Sequence, residues 1–271
     1  EIAENLRYMR EELFPPMVEA LHKLGGIPIK PILAESMQMG DENHTRQTAC
    51  DYIYDRLMLP ALFELDRPKK EIMKTVRYIV DTPRFFHCYG QAAARAALVA
   101  ADGTEYSTMV TAVCGNGVEF GIKIASLPGQ WFTAPAPMMK GRYTSSKFTE
   151  KDQLPWMGDS CVVECYGMGG FAAAASPIVC NLRGMTLKES IGQTKEMYRI
   201  TMEKNYNFPI PNLDFDFLPV GIDIRKVLKE GVCPAIHGGM FNRVGGLIGA
   251  GMARVPMQCF EKALVAFGEK Y

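Results

Sequence analysis

Residues 106–126 read YSTMVTAVCGNGVEFGIKIAS and mark the point at which the character of the chain changes. Two runs of alternating apolar residues flank Asn116-Gly117, and an Asn-Gly pair in that setting is a strong local signal for a β-hairpin. The pattern predicts strands over 106–113 and 118–126. Residues before this hairpin have helical spacing, whereas residues after it mix strands, turns and helices.

The first hundred residues have the apolar spacing of helices. Helices are predicted over 3–14, from Pro16 to Gly25-Gly26, from Asp41 to Pro60, over 69–81 and over 85–101. Pro15-Pro16 is expected to end or restart a helix, because proline lacks an N–H donor and clashes with the preceding turn. Asp41 is a suitable N-cap for the third helix. Residues 1–104 are therefore predicted to form a mainly helical region.

Residues 105–271 are predicted to form an α+β domain with glycine-rich turns. After the hairpin, the pattern predicts an extended segment over 131–137, a strand over 160–165, a glycine turn over 167–170, an Ala-rich helix over 171–181, a helix from the capping box Thr186/Glu189 to about Asn205, a loop to Gly221, a helix over 223–230, strands over 232–236 and 247–254, and a last helix from Pro256. The predicted fold class is α+β, with a mainly helical N-terminal part followed by a mixed α/β sheet domain.

Composition excludes several classes of function. The chain has 271 residues, 48% of them hydrophobic and 22% charged, which is typical of a globular protein with a sizeable core. Thirty basic and thirty acidic residues balance, so no nucleic-acid partner is expected. The apolar stretches are shorter than the roughly 20 residues that span a bilayer, so no membrane association is expected. The eight cysteines are scattered without a CxxC pair, which favours reduced thiols in the cytosol.

Residues 39–46, MGDENHTR, place two carboxylates, an imidazole and a guanidinium at the opening of one predicted helix. Asp41, Glu42, His44 and Arg46 could together hold a ligand with anionic and amide groups. A structural explanation is also open, in which Asp41 caps the helix, Glu42 pairs with Arg46 at i,i+4, and His44 is exposed.

Three further motifs are candidate sites, each with a structural alternative. The hairpin turn would present Asn116 and three backbone N–H groups at a sheet edge, or would be a turn that requires positive φ. Residues 158–171 combine Asp159, Ser160 and Glu164 with a glycine turn that could cradle a phosphate or carboxylate, or could pack tightly against Ala172–Ala175. Asp223, Arg225 and the following His237-Gly238-Gly239 could bind substrate, or could be a helix cap and surface charges.

A metal site is not expected. Cys161 and Cys165 with His87 or His237 could in principle bind zinc, but their spacing on a predicted strand lacks zinc-finger geometry.

Taken in order, these motifs resemble the YlbE-like protein family, one subunit of the oxamate carbamoyltransferase encoded beside FdrA-like proteins in allantoin-degrading bacteria. The resemblance runs from about Asn5 to the end of the chain. It is carried by MGDExHxR (39–46), RFF (84–86), NGxEFGI (116–122), WFTAPAP (131–137), GDSxxxExxGxGGFA (158–172), GIDxRKV (221–227) and IGAGxxRxPMxCF (248–260).

The resemblance implies a cytoplasmic, hetero-oligomeric enzyme that interconverts oxamate plus carbamoyl phosphate with oxalurate plus phosphate, without an organic cofactor. Family members are longer, with an additional N-terminal α/β region, so this chain is expected to be a fragment or the product of a split gene. Its partner would be an FdrA-like subunit or that missing region. His237-Gly238-Gly239 stands where the family has an Asn-Thr-Gly segment, and this difference leaves the identity of the acceptor substrate undetermined. Two alternatives remain, a CoA- or acyl-phosphate-linked ligase component and a non-catalytic scaffold subunit.

Carbamoyl transfer requires neutralised phosphate charge, a polarised carbonyl and an acceptor nitrogen held in line. We therefore assign His44 and Arg46 to a carboxylate or carbonyl oxygen, Asn116 to an amide, and Glu119 to the same catalytic group. The predicted substrate- and anion-binding residues are Asp41, Glu42, Thr133, Asp159, Ser160, Glu164, Gly167, Gly169, Gly170, Asp223 and Arg225.

Overall fold

The computed structural model describes residues 2–271, and its first hundred residues are helical. Its helices there are α1 (Ile2–Tyr8), α2 (Phe14–Leu24), α3 (Ile29–Gln38), α4 (Thr48–Phe63), α5 (Lys69–Asp81) and α6 (His87–Val99). The prediction over 69–81 is confirmed residue for residue. Pro15-Pro16 mark a restart: α1 continues into α2 through a π-helical turn, Met9–Leu13, and both prolines stand in the first turn of α2, where a missing N–H donor is tolerated.

Helix α4 begins later and ends later than its pattern predicts. Asp41 does cap it, but from outside the helix, since its Oδ2 accepts the N–H groups of Ala49 and Cys50 at 2.8 and 3.0 Å. The helix runs past Pro60 to Phe63, because buried Ala61 and Leu62 hold its last turn in the core. The intervening α3 was not predicted.

The predicted hairpin is confirmed and forms the centre of an antiparallel sheet. The sheet has the order β3-β2-β1-β5, from β1 (Val110–Asn116), β2 (Glu119–Ile124), β3 (Phe132–Pro135) and β5 (Met157–Gly158). A second antiparallel sheet has the order β4-β9-β8, from β4 (Lys140–Tyr143), β8 (Ala235–Phe241) and β9 (Leu247–Arg254). With helices before and between the sheets, the fold class is α+β, as predicted.

The segment between the two sheets departs most from prediction. The strand predicted over 160–165 is helix α7 (Val162–Cys165), and the Ala-rich helix is a 3-10 segment, Gly169–Ala175, followed by α8 (Pro177–Leu182). The capping box of Thr186 and Glu189 is present and opens α9 (Leu187–Met197). After it, the predicted helix end and loop are instead an antiparallel pair, β6 (Thr201–Ile210) and β7 (Asp216–Ile222), because strand pairing outweighs local propensity. Helices α10 (Ile224–Glu230) and α11 (Met257–Lys270) complete the chain.

One buried apolar cluster extends from Leu13 to Ala263 and joins the helical region to the sheets. The 3-10 segment Gly169–Ala175 lies at its centre, wholly buried, and packs against α9 and β8. None of the helices within residues 2–271 is both long and apolar enough to cross a membrane.

Candidate functional site

A cleft of about 520 Å³ lies where the helical region meets the second sheet. Four segments line it: the loop before α4, the turn before α6, residues 156–160 around β5, and the glycine-rich strands β8 and β9. The lining residues are His44, Thr45, Pro83, Arg84, His87, Trp156, Met157, Gly158, Asp159, Ser160, Gly238, Gly239, Phe241, Leu247, Gly249 and Ala250.

The loop before α4 is folded around a buried carboxylate. Glu42 Oε1 accepts the backbone N–H groups of His44 at 3.1 Å, of Thr45, and of Arg46 at 2.8 Å. Asn43 adopts a positive φ of 63°, and its side chain is held by Ser36 Oγ and the Leu33 carbonyl, both at 2.9 Å. This loop therefore presents His44 and Thr45 to the cleft on a fixed backbone.

His44 is paired with a second buried carboxylate, that of Glu164 in α7. Its Nδ1 lies 2.8 Å from Glu164 Oε1, which also accepts the N–H groups of Gly170 at 3.1 Å and His237 at 2.8 Å. Burial raises the pKa of Glu164, and the hydrogen bonds from His44 and from those backbone groups oppose the rise. Because Glu164 Oε1 accepts these two backbone N–H groups, it is also the acceptor in its contact with the imidazole ring. The ring proton therefore sits on His44 Nδ1. The Nε2 lone pair, which has no hydrogen-bond partner among residues 2–271, is left for the cleft.

A second carboxylate–histidine pair lies behind the first. His237 Nδ1 is 3.0 Å from Glu42 Oε2, and Gln193 Nε2 is 3.0 Å from His237 Nε2. Burial lowers the pKa of His237 to about 3, so this ring is neutral at physiological pH. Burial alone would raise the pKa of Glu42, but the hydrogen bond from His237 and the charge of Arg183 hold it well below its usual range. Glu42 is therefore ionised, and its carboxylate accepts these hydrogen bonds as an anion.

Arg183 supplies a positive charge for this buried anion. Its Nη2 lies 4.0 Å from Glu42 Oε2 and donates to Thr45 Oγ1, while its Nε donates to the Gly251 carbonyl at 3.1 Å. The side chain is almost wholly buried. The guanidinium is thus fixed directly behind the wall of the cleft.

His87 stacks on His44, with ring centroids 5.8 Å apart and planes at 12°. Gln47 Nε2 donates to the Asn43 carbonyl at 3.1 Å and lies 2.8 Å from His87 Nδ1, and Gln91 Nε2 lies 2.7 Å from His87 Nε2, so each ring nitrogen faces a glutamine side chain. Burial lowers the pKa of His87 to about 4, and the neighbouring charge of Arg84 acts in the same direction. His87 is therefore a neutral ring in the cleft wall.

Arg84 is held in an unusual backbone conformation at the mouth of the cleft. Its φ is +62°, which is uncommon for a residue with a side chain. The carboxylate of Asp51 secures the turn by accepting the N–H groups of Arg84 and Phe86, both at 2.9 Å. The Arg84 side chain is exposed and forms no ion pair with any residue in the described range 2–271. It is a free cation facing the cleft.

The structure brings together many of the predicted site residues. His44, Asp159 and Ser160 line the cleft, and Glu42 and Glu164 lie directly behind it. Asp41 and Arg46 hold the same loop: Arg46 Nη1 bonds the Gly40 carbonyl at 3.2 Å and lies 3.4 Å from Asp41 Oδ1. Burial raises the pKa of Asp41 to about 6. The alternative of a Glu42–Arg46 side-chain pair is not observed, since Glu42 binds the backbone of Arg46 instead.

The glycine turn is filled by the chain's own groups. Gly169 N donates to the Glu42 carbonyl at 2.7 Å, and Gly170 N donates to the Glu164 carboxylate. A Cβ on Gly169 would lie 2.2 Å from Glu164 Oε1, and one on Gly170 would lie 2.2 Å from the Ala235 carbonyl. Gly167, at φ +94°, packs against β7, where a Cβ would meet the Pro219 carbonyl at 2.5 Å. The anion that this turn holds is therefore Glu164.

Five predicted residues belong neither to the cleft nor to the loop and turn behind it: Asn116, Glu119, Thr133, Asp223 and Arg225. Asn116 Oδ1 accepts the N–H groups of Val118 and Glu119 in its own turn, at 2.9 and 2.8 Å, and Thr133 Oγ1 donates to Glu119 at 3.1 Å. Asp223 caps α10 and binds Arg225 and Thr108.

Sequence reasoning did not assign a site role to Thr45, Arg84, His87, Arg183 or His237. Arg84 and Thr45 stand inside stretches that carry the family resemblance. The sequence suggests His87 only as a possible zinc ligand, and His237 both as a possible zinc ligand and as part of the candidate motif His237-Gly238-Gly239. Arg183 has no local signal. Within residues 2–271, no three His, Cys, Asp or Glu side chains are grouped so as to hold a metal ion.

Comparison with known proteins gives consistent matches. A family model described as oxamate carbamoyltransferase subunit AllG matches residues 1–160. Two curated proteins of Escherichia coli (strain K12) are each 35% identical to the chain: the uncharacterized protein YahG, over 100% of this chain and 57% of its own length, and oxamate carbamoyltransferase subunit AllG, over 97% and 64%. The chain thus spans about three fifths of the length of these relatives.

A solved structure has the same fold. The crystal structure of a conserved protein of unknown function from Enterococcus faecalis V583 matches with a TM-score of 0.95 at 35% identity. The match covers 99% of this chain and 65% of that chain.

Proposed function

The chain belongs to the AllG family, described as oxamate carbamoyltransferase subunits, and from this premise we propose that it is a component of a carbamoyltransferase. The reaction proposed is transfer of a carbamoyl group between carbamoyl phosphate and a small oxamate-like amide. The observation that carries the proposal is the pairing of His44 with Glu164 at the wall of the cleft.

His44 is the proposed general base. The acceptor's amide nitrogen is a weak nucleophile because it holds its lone pair in the amide, so its proton must leave as it attacks. With Nδ1–H bound to Glu164, the Nε2 lone pair of His44 takes that proton. A new C–N bond forms to the carbamoyl carbon, the bond from that carbon to the phosphate oxygen breaks, and phosphate leaves with the bonding electrons.

Arg84 is the proposed contact for the phosphate. Its guanidinium is exposed to the cleft, and a guanidinium binds phosphate oxygens through two parallel N–H groups. The strained turn that Asp51 secures fixes the base of this side chain. Backbone strain of this kind is concentrated at binding sites, because binding geometry takes precedence there over local stability.

The family name extends the proposal to partners and setting. The curated relative AllG is named as a subunit, so we propose that this chain acts in an assembly, with an FdrA-like protein as a candidate partner. The proposed setting is oxamate and oxalurate metabolism in cytoplasmic allantoin degradation. No organic cofactor is needed for the transfer as proposed.

The test is an assay of the full chain together with the subunits that co-purify with it. Carbamoyl phosphate and oxamate are supplied, and release of phosphate and formation of oxalurate are measured. His44→Gln should lower kcat by about 10²–10⁴-fold, the range for loss of a general base. His22→Gln, an exposed histidine of α2 outside the cleft, is the matched control.

Two results would contradict the proposal. Consumption of ATP and CoA with a small acid, in place of carbamoyl phosphate, would indicate a ligase component. Carbamoyl transfer that is unchanged in His44→Gln would indicate that this chain is a scaffold and that another subunit carries the chemistry.

A further inference from the structure

The hydroxyl of Thr45 lies in the cleft wall beside His44 and has a constrained hydrogen-bond role. Arg183 Nη2 contacts Thr45 Oγ1, and a guanidinium can only donate, so the hydroxyl oxygen is the acceptor in this contact. The hydroxyl proton must then be directed elsewhere. Within residues 2–271 the hydroxyl proton has no hydrogen-bond acceptor, and the half-buried Thr45 side chain lines the cleft.

We propose that Thr45 is a further catalytic residue, whose hydroxyl donates to the carbonyl oxygen of the carbamoyl group undergoing transfer. The inference rests on the proposed function. His44 Nε2 offers a lone pair and Thr45 offers a proton on the same wall, so the wall presents one acceptor beside one donor. That arrangement complements a primary amide or carbamoyl group, which has N–H groups on one side of its carbon and an oxygen on the other.

The contact becomes stronger as the reaction proceeds. When the acceptor nitrogen bonds to the carbamoyl carbon, negative charge collects on the carbamoyl oxygen before the bond to phosphate breaks. A donor fixed at that oxygen stabilises the charge without needing to reorient. Thr45 is fixed in this way, because its backbone N–H is bound by Glu42 and its hydroxyl oxygen by Arg183.

Arg183 is the corresponding positioning residue. It is anchored at the Gly251 carbonyl, 3.1 Å from its Nε, and it bonds the Thr45 hydroxyl from behind. Its positive charge draws electron density from that hydroxyl and makes the proton a better donor. It acts on the substrate through Thr45 and not by direct contact.

The experiment compares Thr45→Val, which keeps the shape and removes the hydroxyl, with Thr45→Ser, which keeps the hydroxyl. In the assembled enzyme, Thr45→Val should lower kcat for carbamoyl transfer by about 10²-fold, as for loss of one oxyanion donor, while KM for carbamoyl phosphate changes by less than about 3-fold. Thr45→Ser should recover most of the rate. Thr104→Val, at an exposed threonine outside the cleft, controls for the substitution itself. A Thr45→Val enzyme that keeps its kcat would overturn the proposal.

Arg183 is tested by a double-mutant cycle. Arg183→Lys should lower kcat in the wild-type background but have little further effect when Thr45 is already valine, because the two side chains act on one oxygen. A purely structural role would give the same loss in both backgrounds, and that result would overturn the positioning role.

A binding measurement separates this proposal from the proposed function. Calorimetric titration with oxalurate, the product that carries the transferred carbamoyl group, needs no turnover when phosphate is absent, and Thr45→Val should weaken its binding about 3-fold relative to wild type and Thr45→Ser. If wild type binds oxalurate with this dependence but transfers no carbamoyl group, the Thr45 contact is supported and the transferase proposal fails. If transfer occurs and neither kcat nor binding responds to Thr45→Val, the transferase proposal survives and the Thr45 proposal fails.

Discussion

Glu164 Oε1 lies 2.8 Å from Nδ1 of His44, and the same oxygen accepts the backbone N–H of His237. Glu42 makes the reciprocal pair of contacts, with the backbone of His44 and the ring of His237. Each carboxylate thus orients one histidine ring and fixes the backbone of the other. The loop before α4, helix α7 and strand β8 are joined by these four bonds, so the position of the proposed base depends on both carboxylates.

Glu164→Gln should lower kcat for carbamoyl transfer by about 10³-fold or more. A glutamine carbonyl oxygen can keep the three N–H groups that Glu164 Oε1 accepts, but it carries no negative charge to stabilise the imidazolium that forms when His44 takes the proton. The rate is measured in the assembled enzyme, and Glu35→Gln, an exposed residue of α3, is the control. A rate within 10-fold of wild type would mean that the charge of Glu164 does not support His44 as a base.

Gly169→Ala should destabilise the protein well beyond the cost of its backbone conformation. Gly169 has φ +58°, and a Cβ would meet Glu164 Oε1 at 2.2 Å, so the carboxylate must shift. Gly25 has φ +68° and no atom within 4 Å of an added Cβ, which makes Gly25→Ala the matched control. We expect the free energy of unfolding to fall by about 1 kcal/mol in the control and by about 1–3 kcal/mol more in Gly169→Ala, as measured by denaturant unfolding. Equal losses would show that Glu164 is not held against this turn.

Much of the fold could be predicted because its signals are local. The hairpin around Asn116-Gly117 and the helix over 69–81 depend on turn chemistry and on apolar periodicity within one segment. The β6–β7 pair could not be predicted, since its stability comes from a partner strand and not from its own propensity. At residues 160–165, apolar β-branched neighbours favour a strand, but burial of Glu164 against backbone N–H groups is satisfied by a helical turn.

The site could be predicted only in its local part. The family resemblance to an oxamate carbamoyltransferase subunit is confirmed by the AllG match, while the FdrA-like partner stays a prediction. The 39–46 motif identified Glu42 and His44, but their partners lie 195 and 120 residues away in His237 and Glu164. Such pairings have no sequence spacing to detect. Asn116 and Asp223 show the converse, since their polar side chains serve their own turn and helix.

Asp51→Ala should raise KM for carbamoyl phosphate by about 10-fold or more and leave the fold intact. Asp51 accepts two N–H groups of the turn that carries Arg84, so its loss lets the strained turn relax and moves the guanidinium. Asp55→Ala, one turn further along α4, is the control. The measurement is steady-state kinetics with carbamoyl phosphate varied. An unchanged KM would indicate that Arg84 does not bind the phosphate of the substrate.

The last prediction concerns acid stability. Burial lowers the pKa of His87 to about 4, against 6.5 when unfolded, so between these values the unfolded chain binds the proton and the folded chain does not. Stability is therefore fully present above pH 6.5 and is lost as pH falls toward 4. Between pH 7.5 and pH 5, His87 should account for a loss of about 2 kcal/mol in the free energy of unfolding.

His87→Gln should remove this loss, because glutamine is neutral in both states. Asp41 acts in the opposite sense, since its raised pKa of about 6 favours the folded state at lower pH, but it is present in both proteins and cancels from the comparison. Denaturant unfolding at pH 7.5 and 5 gives the two differences, and His22→Gln on the exposed face of α2 should keep the wild-type dependence. If His87→Gln loses as much stability in acid as wild type does, protonation of His87 does not account for the acid sensitivity of the fold.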